Sequence, residues 1–172
     1  MGSRPPLRAA LIGCGYISTQ HIPAWQATPD AELFGAGTVG VDKVYDDVET
    51  MLASEQLDCF DIATRPETHQ ALARLAANKG INVLCQKPLA STLAEARAIA
   101  DLCDEAGVRF MVLEMWRHLP VLRDLKHYLD QDLIGPVHML RLLGHRRPMQ
   151  RSYPVDANQP TSPRCRGYWP TR

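Results

Sequence analysis

The sequence lacks the features that would assign it to several broad classes of protein. It carries no net charge, because 19 lysines and arginines balance 19 aspartates and glutamates. This balance argues against capture of nucleic acid or of an anionic membrane by the whole molecule. No run of residues approaches the ~20 apolar residues of a transmembrane helix, and the apolar stretch that ends at Gly13 is too short for a secretory leader.

Cysteine patterns of the metal-binding and disulfide-rich classes are also missing. The five cysteines form no C-x-x-C pair and no cluster with histidines at metal-ligand spacing. We therefore expect no metal site and a reduced, cytoplasmic setting. With 172 residues and 45% apolar content, the chain can bury one core, as one domain or as one domain plus a fragment.

Short apolar runs alternate with amphipathic stretches, which is typical of β-α units on a parallel sheet. The pattern predicts strands at residues 7–12, 31–34, 59–63, 82–85, 108–113 and 137–144. It predicts helices at residues 16–27, 46–52, 67–79, 92–106 and 120–130. Local signals support two of these helices: Asp46 is a candidate N-cap, and Thr92 with Glu95 forms a capping box.

A glycine-rich string, G-C-G-Y-I-S at residues 13–18, joins the first predicted strand to the first predicted helix. In that context Gly13 permits a tight turn, and Gly15 lets backbone amides approach a pyrophosphate held by the helix N-terminus. Ser18 stands where a third glycine is usual and is small enough for close helix-strand packing. The alternative is a tight turn that binds no ligand.

Three further strings follow later predicted strands: T-R-P-E-T-H at residues 64–69, C-Q-K-P at 85–88 and W-R-H-L-P at 116–120. With the glycine loop, and in this order, they resemble the glucose-fructose oxidoreductase and inositol dehydrogenase family, often called Gfo/Idh/MocA. The resemblance covers roughly residues 7–147. It implies a Rossmann-like sheet with flanking helices, NAD or NADP as cofactor, and hydride transfer to or from a sugar or polyol hydroxyl.

By this resemblance Lys87 is the catalytic residue, because the lysine of the K-P pair lies beside the nicotinamide and the substrate oxygen. The resemblance also implies a set of cofactor-binding residues: Gly13, Gly15, Tyr16, Ile17, Ser18, Thr64, His69, Gln86, Lys87, Pro88, Trp116 and Arg117. Simpler interpretations remain for some of them. Lys87 could be a surface lysine in a turn, His69 a cap or a solvated residue, Trp116 a packing residue, and Arg117 the partner of a surface carboxylate.

The sequence departs from the family pattern after the second strand. A carboxylate usually follows that strand and binds the adenosine ribose, but residues 34–38 read F-G-A-G-T. Compared with the family, the stretch 35–44 also looks shortened, as if the helix after the second strand had been lost. Within this stretch, Asp42 is the acidic residue nearest to the place of the usual carboxylate. The choice between NAD and NADP therefore stays open.

The resemblance divides the chain into a dinucleotide-binding domain at residues 1–134, the start of a truncated C-terminal α/β domain at 135–147, and a tail at 148–172. We expect the tail to be disordered, because it is rich in proline and arginine and almost free of aliphatic residues. A nucleic-acid contact by its arginines is the less favoured interpretation.

Neither His138 nor His145 matches the family's catalytic histidine. We therefore expect cofactor binding at most from this chain. The alternative is a non-enzymatic Rossmann-like remnant that acts as a binding module and self-associates through an exposed domain-docking surface.

Overall fold

The computed structural model describes residues 5–13, 15–36, 41 and 43–141. Its six strands are β1 Leu7–Ile12, β2 Ala31–Ala36, β3 Lys43–Tyr45, β4 Cys59–Ile62, β5 Asn82–Gln86 and β6 Phe110–Leu113. Its α-helices are α1 Ser18–Gln26, α2 Val48–Ser54, α3 Pro66–Ala77, α4 Leu93–Glu105 and α5 Pro120–Asp130, and a 3₁₀ helix covers Met115–His118. The part up to Leu113 and the part from Glu114 are two compact units.

The six strands of the first unit form one parallel sheet in the order β3-β2-β1-β4-β5-β6. This is the strand order of dinucleotide-binding folds, in which the chain winds outward in opposite directions from the middle of the sheet. The point where the winding reverses lies between β1 and β4. The predicted Rossmann-like α/β fold is confirmed.

Buried apolar residues of the central strands form the core. All four residues from Ala9 to Ile12 are at most 1% exposed, and β4 buries Phe60 and Ile62 completely. Such unbroken apolar runs are expected where helices cover both faces of a parallel sheet. On α3, the small and aliphatic residues Leu72, Ala73 and Ala76 form the buried face.

Helix α4 begins with the predicted capping box. The Thr92 side chain accepts a hydrogen bond from the Glu95 amide, and the Glu95 carboxylate accepts one from the Thr92 amide. Gly107 follows the helix with a φ of +66°, a conformation that favours glycine at helix ends. The predicted N-cap of α2 was one residue off, because Asp47 rather than Asp46 caps the helix by accepting from the Thr50 amide, and the helix itself lies two residues later than predicted.

Strand β3 was not predicted from the sequence, and a cluster around Glu55 holds it to the sheet. The Glu55 carboxylate accepts hydrogen bonds from Lys43 Nζ at 2.6 Å, from Tyr45 Oη at 2.5 Å and from Arg8. The bonds from Lys43 and then Tyr45, with a smaller contribution from Arg8, lower the pKa of Glu55 from its ordinary 4.5 to about 2. A short edge strand is thus held by side chains from β1 and from the end of α2.

The second unit is described from Glu114 to Arg141, and its regular structure is the 3₁₀ helix and α5. The predicted strand at residues 137–144 is wrong over its described part, because residues 137–141 carry no regular structure. An apolar-polar alternation forms a strand only beside a partner strand, and none pairs with residues 137–141 in the described chain. Residues 142–144 and the predicted tail lie outside the described residues. No described helix has the length and apolar character to cross a membrane.

Candidate cofactor-binding site

Most of the predicted site residues lie at one edge of the first unit. The glycine loop follows β1, the T-R-P-E-T-H string follows β4, and Lys87 follows β5. Because β1, β4 and β5 are adjacent and parallel, their carboxyl ends meet at the same edge of the sheet. In open parallel sheets this edge, at the reversal of winding, is where ligands bind.

Gly13 fits a position that no other residue could occupy without strain. Its φ is +116°, and a Cβ there would lie 2.7 Å from the carbonyl oxygen of Ala63 and 3.2 Å from Thr64 Cγ2. The glycine loop therefore packs directly on the segment after β4. Gly13 is needed for the fold itself, whether or not a ligand binds.

Gly15 differs, because a Cβ at that position would have no atom of the described chain within 4 Å. Its carbonyl oxygen accepts hydrogen bonds from the Ser18 amide at 3.1 Å and from Ser18 Oγ at 2.5 Å. Ser18 is only 5% exposed, which agrees with its predicted packing role. The surface beside Gly15 is open, and nothing in the fold itself requires a glycine there.

The start of α1 suits an anionic group. No acidic residue lies in its first turn, so nothing there opposes the partial positive charge of the helix N-terminus. Tyr16, just before the helix, is 53% exposed. The residues present therefore fit the pyrophosphate of a dinucleotide.

His69 is neither a cap nor a solvated residue, because it is completely buried. Its Nδ1 lies 2.9 Å from the carbonyl oxygen of Leu89, and its Nε2 lies 3.3 Å from that of Thr64. Thr64 Oγ1 is in turn hydrogen-bonded to Thr68 Oγ1 at 2.7 Å. The imidazole thus joins the segment after β4 to the segment after the K-P pair.

The K-P pair itself stands at the surface. Lys87 and Pro88 are exposed, whereas Gln86 before them is 6% exposed. The Lys87 amide donates to Gln86 Oε1 at 2.9 Å, and the peptide bond between Lys87 and Pro88 is cis. The Lys87 ammonium forms no salt bridge with any residue that the structure describes.

Three residues that the sequence did not single out, His21, Trp25 and Asp61, form a hydrogen-bonded group that reaches Gln86 through His21. Asp61 on β4 is 2% exposed, and its carboxylate accepts from Trp25 Nε1 at 2.7 Å and lies 2.8 Å from His21 Nδ1. His21 Nε2 lies 3.0 Å from Gln86 Nε2. Two signals were available in the sequence: a carboxylate inside an apolar strand, and a histidine four residues before a tryptophan on one helix face.

Trp116 and Arg117 lie in the 3₁₀ helix of the second unit. Trp116 is 47% exposed, so it is not a buried packing residue within that unit. The Glu114 side chain accepts from the Trp116 amide at 3.4 Å. Their predicted place near the nicotinamide stays a prediction, and His138 is exposed, in keeping with the solvent-facing interpretation.

Thiol chemistry does not contribute to the described site. Cys59, Cys85 and Cys103 are free and buried. Burial, reinforced by the negative charge of Asp61, raises the pKa of both Cys59 and Cys85 to about 12. These thiols stay protonated near neutral pH and are poor nucleophiles.

The parallel sheet, its strand order and the glycine loop at the reversal of winding define a dinucleotide-binding Rossmann domain. Residues 31–114 match the model of the oxidoreductase family with an NAD-binding Rossmann fold. The chain belongs to this family, the Gfo/Idh/MocA oxidoreductases, as the resemblance predicted.

Relatives and solved structures extend the match beyond those residues. The chain is 40% identical to D-apiose dehydrogenase of Paraburkholderia graminis over 140 residues, which is 74% of this chain and 37% of that protein. It is similar to an Agrobacterium radiobacter oxidoreductase in complex with NAD+, L-tartaric acid and magnesium, with a TM-score of 0.71 and 30% identity over 76% of this chain and 42% of that one. It is also similar to the WlbA dehydrogenase of Bordetella pertussis in complex with NADH and UDP-GlcNAcA, with a TM-score of 0.67 and 29% identity over 74% and 42% of the two chains.

The chain spans only part of these proteins. It covers 37% of the D-apiose dehydrogenase and 44% of levoglucosan dehydrogenase from Pseudarthrobacter phenanthrenivorans, to which it is 26% identical over 91% of its own length. What the comparisons establish is the nucleotide-binding part of the family fold.

Proposed function

We propose that this chain binds NAD or NADP at the carboxyl edge of β1, β4 and β5. The proposal rests on the contrast between two glycines of the loop. Packing requires a glycine at position 13, whereas Gly15 leaves open surface beside the N-terminus of α1. The pyrophosphate lies over Gly15, where backbone and helix dipole stabilise its charge. The proposal covers both nucleotides, because residues 37–40 and 42, which follow β2 in the sequence, lie outside the described residues.

The nicotinamide end of the site is formed by the segments after β4 and β5. In this arrangement Tyr16, Ile17 and Ser18 lie under the pyrophosphate, while Thr64, Gln86 and Pro88 line the edge towards the nicotinamide. His69 acts indirectly, by holding the Thr64 carbonyl and the K-P segment together.

Lys87 is the proposed catalytic residue, and its substrate is a sugar or polyol hydroxyl. The nicotinamide ring, when bound, accepts or donates the hydride. The Lys87 ammonium hydrogen-bonds the reacting oxygen and stabilises the negative charge that develops on it. Its exposure at the end of β5 supports this role, and so do the relatives named as dehydrogenases of D-apiose and levoglucosan.

We further propose that residues 1–134 function as the nucleotide-binding domain and that residues 135–147 begin a second domain. Five large apolar residues near this boundary are between 47% and 80% exposed: Leu133, Ile134, Val137, Met139 and Leu140. An apolar surface of this kind favours self-association of the chain. A cytoplasmic location fits the three free, buried cysteines.

The role of Lys87 is tested by the Lys87→Ala variant. Reduction of NAD+ and NADP+ is followed by nicotinamide absorbance with a panel of aldoses and polyols. A high protein concentration is used because neither His138 nor His145 matches the family's catalytic histidine, so we expect slow turnover. The substitution is expected to lower the rate at least about 100-fold, as the loss of a group that stabilises developing charge does.

Lys79→Ala serves as the control, because Lys79 is an exposed lysine just after α3, and it should react like the wild type. An unchanged rate in Lys87→Ala removes Lys87 from the mechanism. No reduction of either nucleotide by the wild-type chain contradicts hydride transfer by this chain.

A further inference from the structure

We infer that Asp61, His21 and Gln86 form a one-way hydrogen-bond relay that holds the backbone of Lys87 in place. The relay starts at a carboxylate in the middle of the sheet, passes through α1 and ends at the Lys87 amide. It makes His21 and Asp61 positioning residues for Lys87. The functional part of this inference rests on the proposed role of Lys87.

The Lys87 amide needs such a partner because it lies just beyond the sheet. Gln86 is the last residue of β5 that pairs with β6, opposite Leu113. The Lys87 amide therefore has no strand neighbour and donates to Gln86 Oε1 at 2.9 Å instead. The orientation of the Gln86 side-chain amide then decides whether Lys87 keeps this bond.

The donors and acceptors fix that orientation. A backbone N–H can only donate, so Gln86 Oε1 must face Lys87 and Gln86 Nε2 must face His21. Gln86 Nε2 is also a donor, and so His21 Nε2, 3.0 Å away, must accept. His21 is then the neutral tautomer with its proton on Nδ1, and that proton points to the Asp61 carboxylate at 2.8 Å.

Burial disfavours any other orientation of the Gln86 side-chain amide. The side chains of His21 and Asp61 are 11% and 2% exposed, and no buried side-chain nitrogen or oxygen of the described residues lacks a partner. Turning the Gln86 amide over would set an NH₂ group against the Lys87 N–H and an oxygen against an acceptor nitrogen. Both hydrogen bonds of the largely buried Gln86 side chain would be lost at once.

The relay also connects the two ends of the proposed site. His21 belongs to α1, the helix whose N-terminus is proposed to hold the pyrophosphate, while Lys87 is proposed to act at the nicotinamide. The His21–Gln86 bond therefore fixes the distance between the helix that binds the cofactor and the residue that acts on the substrate. Trp25 also donates to Asp61, but it lies outside the path from Asp61 to Lys87.

The direction of the relay can be tested on the cofactor-free wild-type chain by ¹⁵N nuclear magnetic resonance of its imidazole rings. The account predicts that His21 is protonated at Nδ1 and unprotonated at Nε2 at neutral pH. Protonation at Nε2 would overturn it.

The Gln86→Glu variant sharpens this test, because a carboxylate cannot donate to His21 Nε2. His21 should then become doubly protonated, and a His21 that keeps its wild-type tautomer in this variant would contradict the relay.

The hold on Lys87 is tested by amide hydrogen exchange. His21→Phe removes the relay but leaves the Asp61 carboxylate with Trp25, and it should accelerate exchange of the Lys87 amide at least about tenfold. Trp25→Phe is the matched control, because it also removes one donor from Asp61 but leaves His21, Gln86 and Lys87 connected. Its Lys87 amide should exchange within about twofold of wild type.

Equal exchange at Lys87 in the two variants would show that the relay does not hold the backbone. If His21→Phe does not fold, the tautomer measurements on the wild type and Gln86→Glu still decide the question. All of these readouts are made without cofactor. Absence of dinucleotide binding would therefore contradict the proposed function and leave the relay standing, and the two failures are distinguishable.

Discussion

Gly13 and Gly15 stand two residues apart in one loop, yet the structure gives them different tasks. Gly13 has a left-handed backbone and would place a Cβ against the Ala63 carbonyl, whereas Gly15 faces open surface. The sequence already assigned a tight turn to Gly13 and the approach to a pyrophosphate to Gly15. It could not show the packing contact that makes Gly13 necessary, because that contact comes from a segment fifty residues later in the chain.

This difference predicts opposite results for two alanine substitutions. Gly13→Ala should destabilise the protein by at least about 1–3 kcal/mol, because it adds backbone strain to a steric clash. Gly15→Ala should leave the thermal midpoint unchanged but weaken NADH binding about tenfold, which is 1.4 kcal/mol. Thermal unfolding and a calorimetric titration measure the two effects. A stable Gly13→Ala protein, or a Gly15→Ala protein that binds NADH like wild type, would contradict these assignments.

Other residues show where sequence patterns stop being informative. Lys87 was predicted from a short motif, and the structure places it exposed at the end of β5. His69 was predicted to line the pocket, which stays a prediction. The structure adds that both of its ring nitrogens face backbone carbonyls, one of them 20 residues away. The partners of His21 are likewise distant along the chain, because Asp61 is 40 residues away and Gln86 is 65 residues away. Such contacts arise only once the sheet has formed.

Among the helices and strands, the predicted bounds were most accurate where the sequence carries a signal for both ends of the element. The capping box of Thr92 and the glycine after α4 placed that helix within one residue of its observed bounds. Strand β3 was missed because its three residues carry no pattern of their own, and its partner Glu55 lies on another element. The strand predicted at residues 137–144 does not form over its described part, residues 137–141. These residues have the apolar-polar alternation, but no described strand pairs with them.

The Glu55 cluster predicts a pH dependence of stability. The pKa of Glu55 is lowered from its ordinary 4.5 to about 2 in the folded protein by Lys43, Tyr45 and Arg8. A lowered folded-state pKa stabilises the protein above the unfolded pKa, and this contribution is lost as the pH falls through the folded one. The thermal midpoint should therefore fall between about pH 5 and pH 2.

Glu55→Gln should flatten this part of the curve while lowering stability at pH 7. Glu49→Gln is a suitable control, because Glu49 is exposed on the same helix. Parallel curves for the wild type and Glu55→Gln across this range would show that the cluster does not hold β3 through charge.

For the whole molecule, the sequence predicted the parallel sheet because each β-α unit has its own local pattern of apolar residues. Self-association was expected only as part of the alternative interpretation, and the sequence could not specify which residues would form the associating surface. The exposed apolar residues at 133–140 predict that the chain self-associates in sedimentation velocity at micromolar concentrations. The double variant Ile134→Lys/Met139→Lys should sediment as a monomer. Leu93→Lys, at a residue that is 67% exposed on α4, should not change the association, and a wild-type chain that is monomeric throughout would contradict the proposal.

We propose that this domain binds a nicotinamide dinucleotide at the carboxyl edge of its sheet. The most direct test is a titration of the ¹⁵N-labelled chain with NADH and with NADPH, followed through its backbone amide resonances. The account predicts that shifts concentrate at Gly13, Gly15, Ser18, Thr64 and Lys87 with at least one of the two nucleotides. No shift at millimolar concentration of either nucleotide, or shifts confined to other parts of the chain, would contradict it.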